Sequence, residues 1–389
     1  MLRCEKSPKE VLSNMKILIL SFKAGEGHNA AAKAILERIE HEGHQGIVVD
    51  FLGLVSDKLS NAINVSYGGM VKHAPGMFGS FYKLSARVSH RFPRFRSPLY
   101  LDSAIISAQL RMLLERTGPY DGIVATHLMP AQALAHLKKH GYSLPVTVAV
   151  ATDYTYYPFW QEVAACDYYV IPDKELIPAY VLRGMKREKL CPYGIPIGLR
   201  YASLPTKREA RERLGLPKDA PIHLVMGGSM GAGSMQKLVE ALYRARPRTE
   251  HTVIICGNNR ALREALVARF AKASRVHVVG FTREVPLYMT ACDLLYTKPG
   301  GLSTSEAIAC GIPMIYTAPI PGCESDNYEF FTDRFCAMGA GSIEGQLHCA
   351  SRLLASEGLR RRMRTAQKKY AHPDASLEIF KLIEKHAKK

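Results

Sequence analysis

The sequence predicts an α/β protein built from two Rossmann-like halves that face each other across a cleft. Three observations carry this. Its 389 residues, 47% hydrophobic and 22% charged, exceed what one ordinary core holds and suit two globular domains. Short strands rich in Val and Ile alternate with helical segments in two successive series, the pattern of parallel sheets covered by helices. Each series opens on an apolar strand that runs into a glycine-rich turn, SFKAGEGHN in the first and MGGSMGAGS in the second. Both loops therefore stand at the carboxyl ends of strands, where such sheets bind ligands.

Residues 1–14 are polar and read as a frayed extension ahead of the first buried strand, MKILILS, with Met15 a possible start. That strand meets the turn Gly25 to Gly27 and the helix AAAKAILERIEHEG. Gly25-x-Gly27-x-x-Ala30 formally matches the dinucleotide fingerprint, and Asp50 closes the next strand, GIVVDF, so an NAD-dependent oxidoreductase is one reading. His28 offers another. An imidazole directly after the glycines, at a strand's carboxyl end and aimed at the cleft, can take a proton near neutral pH. DGIVAT, PVTVAVAT and DYYVIP continue the strands.

Between Lys58 and Leu101 there is no Asp or Glu, while Lys72, Lys83, Arg87, Arg91, Arg94 and Arg96 interleave with Phe78, Phe81, Tyr82, Phe92 and Phe95. Basic residues beside exposed aromatics suit the headgroup level of an anionic bilayer. They suit a nucleic-acid groove or a solvated helical pair with buried aromatics equally well.

The segment from Ile195 to Pro205 is the candidate hinge. The second series follows: IHLVMGG, the helix MQKLVEALYRA, HTVIICG, RALREALVARF, VHVVGF, the helix REVPLYMTACD and LLYTKPGG. The last of these begins the most informative stretch. A strand ending near Tyr296 runs into Gly300 and Gly301, then into a helix opening with Ser303, Thr304 and Ser305. The free N–H groups of a first helical turn make an anion site, and glycines let a ligand approach closely. Glu306, one turn inside, stands at the depth of a nucleotide's ribose hydroxyls. Phosphate plus ribose means a nucleotide. The polar run PGCESDN comes next, and the chain closes with SLEIFKLIEKHAKK, an amphipathic basic helix after Pro373.

The net charge of +17 is spread over both halves and draws the protein to polyanions. No apolar run is long enough to span a bilayer and the N-terminus lacks the apolar core of a secretion signal, so a cytoplasmic location is expected. Nine cysteines without a CxxC or paired Cys/His spacing suit reduced thiols and give a zinc site little support.

AGEGHNAAAKAI, TDY with the downstream Trp160, MGGSMGAGS, CGNN, GFTREVPLYMTACD and above all TKPGGLSTSEA followed by PIPGCESDN resemble the diacylglycerol glycosyltransferase family. That family includes bacterial processive diacylglycerol glucosyltransferases and plant monogalactosyldiacylglycerol synthases. More distantly, the chain is similar to the N-acetylglucosaminyltransferase that forms lipid II. The resemblance runs from Met15 to the mid-370s. It implies a GT-B fold, with residues 15–198 as the acceptor and membrane domain, 199–372 as the UDP-sugar domain and 373–389 as the terminal helix. Gly228, Ser229 and Met230 would flank the diphosphate, backbone around Phe281 and Thr282 would meet uracil, and Gly301, Leu302 and Ser303 would cradle phosphate. Glu306 would bind ribose, and Glu324 and Asn327 the hexose hydroxyls. His28 would be the general base, with Asp153 lining the acceptor side.

The implied reaction is an inverting, β-forming transfer of a hexose from a UDP-sugar to diacylglycerol or a monoglycosylated diacylglycerol. Helix N-termini can stabilise departing UDP, and with no DxD-like pair where a metal would be wanted, no metal and no other cofactor is expected. Phe78, Phe81, Tyr82, Arg87, Arg91, Phe92 and Arg94 would then face an anionic membrane on its inner, cytoplasmic side, with no specific nucleic acid. Two departures bear on specificity: Cys323 replaces the glutamine usual before the sugar-binding glutamate, and Glu26 interrupts the first glycine loop. Glucose is favoured over galactose as the donor sugar. A UDP-N-acetylglucosamine-dependent transferase and a UDP-sugar epimerase of the same fold are the alternatives.

Overall fold

The computed structural model describes residues 14–22, 26–54, 75–91, 97–227 and 235–387. The extension before residue 14, Gly25, Phe92, Arg94, Gly228, Ser229 and Met230 lie outside the described residues, as do the side chains of Glu26, Phe78 and Phe81.

Two six-stranded sheets, every pairing parallel, form the two halves. The first contains β1 (Lys16–Ser21), β2 (Gln45–Asp50), β3 (Gly122–Ala125), β4 (Val146–Val150), β5 (Tyr168–Val170) and β6 (Leu190–Cys191), in the order β2-β1-β3-β4-β5-β6. The second contains β7 (Ile222–Met226), β8 (His251–Ile255), β9 (Val276–Val279), β10 (Leu294–Thr297), β11 (Met314–Tyr316) and β12 (Met338–Gly339), in the order β12-β11-β10-β7-β8-β9. The central strands β3, β4, β7 and β10 are buried along their whole length, which is why they read as continuous apolar runs. β2 and β9 are edge strands and stay half-buried.

In both sheets the chain order reverses beside the first strand of the series, between β1 and β3 and between β7 and β10. Crevices at such switch points, outside the carboxyl ends of the strands, are where open α/β sheets hold ligands. The two crevices face one another.

Several elements differ from their sequence reading. The first helix spans Glu26–His41, so Gly27 and His28 lie in its opening turn rather than in a loop before it. The helix after β10 spans Gly301–Cys310 and starts two residues ahead of Ser303, with Gly300 as its N-cap residue. The polar run after Pro321 is itself a helix, Cys323–Asp333, entered through Gly322 at φ 124°, a conformation glycine tolerates. β6, β11 and β12 are two or three residues long, too short to show periodicity.

The terminal helix Ala375–His386 crosses back to the first half. Its apolar face, Ile379, Phe380, Leu382 and Ile383, is buried with Ile17, Ile35, Val124 and Val148 of the first sheet and first helix. The two crossings of the chain touch: Gly194, at φ 94°, lies so close under His372 that a Cβ there would be 2.2 Å from the His372 Cβ. The candidate hinge is packed on both sides, with Ile195, Ile197 and Tyr201 buried and the Leu199 N–H donating to Glu37 Oε2 at 3.3 Å. Among the described residues, no helix is long and apolar enough to cross a membrane.

Candidate active site

A cavity of about 500 Å³ lies between the halves, lined by residues from both switch points. From the first half it takes Gly27, His28, Thr126, His127, Thr152, Asp153 and Trp160; from the second, Phe281, Thr282, Gly301, Leu302, Ser303, Glu306 and Glu324. Most of the catalytic and donor-binding residues singled out in the sequence thus converge on one space.

His28 is held by the ends of two neighbouring strands. Its Nδ1 lies 2.9 Å from the Thr126 carbonyl oxygen and 2.9 Å from Thr152 Oγ1. A carbonyl can only accept, so Nδ1 carries the proton and Nε2 keeps its lone pair. Burial holds the imidazole down to about 4, against the pull of the Thr126 carbonyl, so it is neutral at physiological pH. His127 stands edge-on to it, with ring centroids 4.6 Å apart, and stacks on Phe22 at 4.1 Å. His127 Nδ1 accepts the Met129 N–H at 3.2 Å, which puts its own proton on Nε2. Sequence reasoning missed His127, although it follows the strand DGIVAT as His28 follows KILILS.

Asp153 does not simply face the acceptor side. Its carboxylate accepts from Asn327 Nδ2 at 2.8 Å and from the Gly301 N–H at the start of the helix Gly301–Cys310. Burial pushes it up to about 6, helped by the Glu324 carboxylate and opposed by Asn327, Lys298 and that amide. The neighbouring Tyr154 is buried between Phe330 and Phe331, and its N–H donates to Asn327 Oδ1 at 2.7 Å. The TDY triplet is therefore a dock between the domains.

Asn327 belongs to the same dock. It is fully buried, its amide bonds Tyr154, Asp153 and the Pro299 carbonyl (3.0 Å), and Asp153, which lines the cavity, stands between it and that space. Gly301 is buried too: a Cβ there would be 2.2 Å from the Thr152 carbonyl oxygen. The amides of Leu302 and Ser303, which line the cavity, are left to meet an anion.

Glu306 is half-buried in the second turn of that helix and hydrogen-bonds Tyr201 of the linker; burial raises it to about 7. Glu324 pairs with Lys298 and accepts the Ile320 N–H at 2.9 Å. Phe281 is two-thirds exposed at the rim. Lys298 and Lys33, both lining the cavity, were not singled out in the sequence.

Of the aromatic-basic segment, the helix Pro75–Arg91 exposes Lys83, Arg87 and Arg91 together with Met77 and Leu84. Tyr82 departs from the expectation of a membrane contact. It turns inward, its hydroxyl donating to Asp326 Oδ2 at 3.3 Å and its ring edge-on to Tyr157.

The comparisons with known proteins bear on this geometry. The family model described as monogalactosyldiacylglycerol (MGDG) synthase matches residues 28–197, and that described as glycosyl transferases group 1 matches residues 206–370. A protein of Oryza sativa subsp. japonica named "Probable monogalactosyldiacylglycerol synthase 2, chloroplastic" is 30% identical over 392 residues, covering 95% of this chain and 80% of its own. The chain belongs to the monogalactosyldiacylglycerol synthase family. The processive diacylglycerol beta-glucosyltransferase of Bacillus subtilis (strain 168) is 27% identical over 365 residues, covering 90% of each chain. Among solved structures, a Staphylococcus aureus MnaA–UDP complex superposes with a TM-score of 0.62 at 15% identity, covering 95% of this chain and 96% of that one. The family member described here is a glycosyltransferase with the two-domain GT-B fold.

Proposed function

We propose that the protein transfers a hexose, glucose ahead of galactose, from a UDP-sugar to diacylglycerol or a monoglycosyldiacylglycerol with inversion at the anomeric carbon. The observation that carries this reading is the pairing across one cavity of a neutral histidine with a free Nε2 and an anion-ready helix start. The relatives named as diacylglycerol glucosyltransferase and galactolipid synthase support the lipid acceptor.

In the reaction, His28 Nε2 takes the proton of the acceptor hydroxyl as its oxygen attacks the anomeric carbon. The bond from that carbon to the β-phosphate oxygen breaks, and its electron pair leaves on UDP. The amides of Leu302 and Ser303 and the dipole of the helix Gly301–Cys310 face the charge that develops there. Glu306 receives the ribose hydroxyls, Glu324 the hexose hydroxyls, and the backbone at Phe281 and Thr282 the uracil; Gly228, Ser229 and Met230 complete the diphosphate contacts. Asp153 acts by fixing the seam on which both sides of the site are aligned. Phe22, Leu128, Tyr157 and Trp160 give the lining from the first half an apolar share suited to an acyl glycerol. The exposed face of the helix Pro75–Arg91 rests on an anionic membrane at its cytoplasmic side.

The test is UDP release from UDP-glucose, UDP-galactose and UDP-N-acetylglucosamine, each with and without diacylglycerol in anionic vesicles. Release that requires UDP-glucose and the lipid is expected. UDP release without lipid points to water or another acceptor, conversion of the UDP-sugar without UDP release points to an epimerase instead, and turnover of UDP-N-acetylglucosamine alone overturns the hexose assignment.

A further inference from the structure

The charges that line the cavity do not suit a diphosphate as they stand. The carboxylates of Asp153, Glu306 and Glu324 face the space, whereas Lys33 and Lys298 are the lysines or arginines among the described lining residues. Lys33 comes from the first half, on the helix Glu26–His41. Lys298, immediately after β10 and ahead of the Pro299-Gly300-Gly301 turn, is the cation on the wall where the helix Gly301–Cys310 begins. It is already committed: its ammonium pairs with Glu324 Oε1, while the other Glu324 oxygen is held by the Ile320 amide. A UDP-sugar presents two ligands to this pair, an anion for the lysine and hydroxyl donors for the carboxylate.

We infer that Lys298 is a phosphate-binding residue that exchanges partners when the donor binds, leaving Glu324 for the β-phosphate as Glu324 turns to the hexose hydroxyls. This rests on the reading of the cavity as a UDP-sugar site. The exchange suits the chemistry of both groups. An ammonium on a four-carbon stem is a mobile point charge with three donors, and it trades one charge-assisted hydrogen bond for another. Glu324, half-buried, loses a cation and gains neutral donors only if the sugar is present. UDP without its hexose must break the ion pair and leave Glu324 Oε1 without its cation, only the Ile320 amide remaining on Oε2, which is costly. The pair therefore favours the intact donor over the spent nucleotide and assists release of UDP after transfer.

The experiment is calorimetric binding of uridine, UMP and UDP to the full chain as wild type, Lys298→Met, Lys298→Arg and Glu324→Gln. Lys298→Met is expected to weaken UDP about tenfold, the scale of one charge-assisted hydrogen bond, while leaving uridine and UMP unaltered. Lys298→Arg is expected to keep most of the UDP affinity. Glu324→Gln, by freeing the lysine, is expected to tighten UDP severalfold and to slow transfer from UDP-glucose. A gain of affinity is a readout that a merely structural role does not produce, and it holds even if Lys298→Met folds poorly. UDP binding that is unchanged in Lys298→Met, or not tightened in Glu324→Gln, overturns the exchange while the UDP site stands. Wild-type protein that binds no UDP overturns the site and the exchange together.

Discussion

A histidine, an acid and an amide show what single residues contribute and how far each was legible. His28 could be found because a glycine turn pointed at it. Its tautomer could not, because the Thr126 carbonyl that fixes it is 98 positions away in sequence. Replacing His28 by Ala is expected to lower turnover by about 100- to 10,000-fold, the usual worth of a positioned base, with UDP binding retained; steady-state rates beside calorimetry check this. Glu306, expected to meet ribose from its depth in the helix, gains a pH dependence that no sequence reveals, since burial and not a neighbour raises it to about 7. Ribose hydroxyls donate to the ionised form, so uridine affinity is expected to rise between about pH 6 and about pH 8 and to stay flat in Glu306→Gln. Uridine is the right probe because it has no phosphate of its own to titrate. The folded-state value lies above the unfolded 4.5, so the native state holds this proton more tightly. Stability from this group is therefore greatest in acid and falls as the pH rises through about 7. The burial of Asn327 against Tyr154, Asp153 and Pro299 is a tertiary fact that the polar run PGCESDN does not reveal.

The element that best separates local from tertiary causes is the glycine pair at the start of the helix Gly301–Cys310. Sequence alone treats Gly300 and Gly301 alike. In the structure, a Cβ at Gly300 meets nothing within 4 Å and the backbone φ of −77° suits any residue, whereas a Cβ at Gly301 collides with the Thr152 carbonyl oxygen. Gly300→Ala is accordingly expected to leave thermal unfolding unchanged. Gly301→Ala is expected to cost about 1–3 kcal/mol, since the obstruction is backbone and cannot turn aside. Melting curves of the two variants, recorded together, decide it. The amphipathic helix Met235–Ala245 was read at its observed bounds because Leu238, Val239 and Leu242 repeat at helical spacing. The helix Cys323–Asp333 was not, because it has no capping side chain and relies on Gly322 at φ 124° for its start.

For the whole molecule, the alternation of strands and helices was enough to give two parallel sheets, because β3, β4, β7 and β10 are buried on both faces and so are continuously apolar. The way the halves dock was not legible, since it depends on Tyr154, Asp153 and Asn327 meeting across more than 170 positions. Membrane attachment belongs to this scale as well. Lys83→Ala and Arg87→Ala are each expected to weaken binding to anionic vesicles by about 1 kcal/mol, and raising the salt to reduce the difference; vesicle sedimentation measures both. The return of the helix Ala375–His386 to the first sheet has a consequence for biogenesis. The ribosome makes Ile379, Phe380 and Ile383 after every residue they cover. While they are still in the exit tunnel, the second domain has all its strands, but the first has a bare apolar flank. The half translated first therefore cannot be completed until the very end of the chain has left the ribosome.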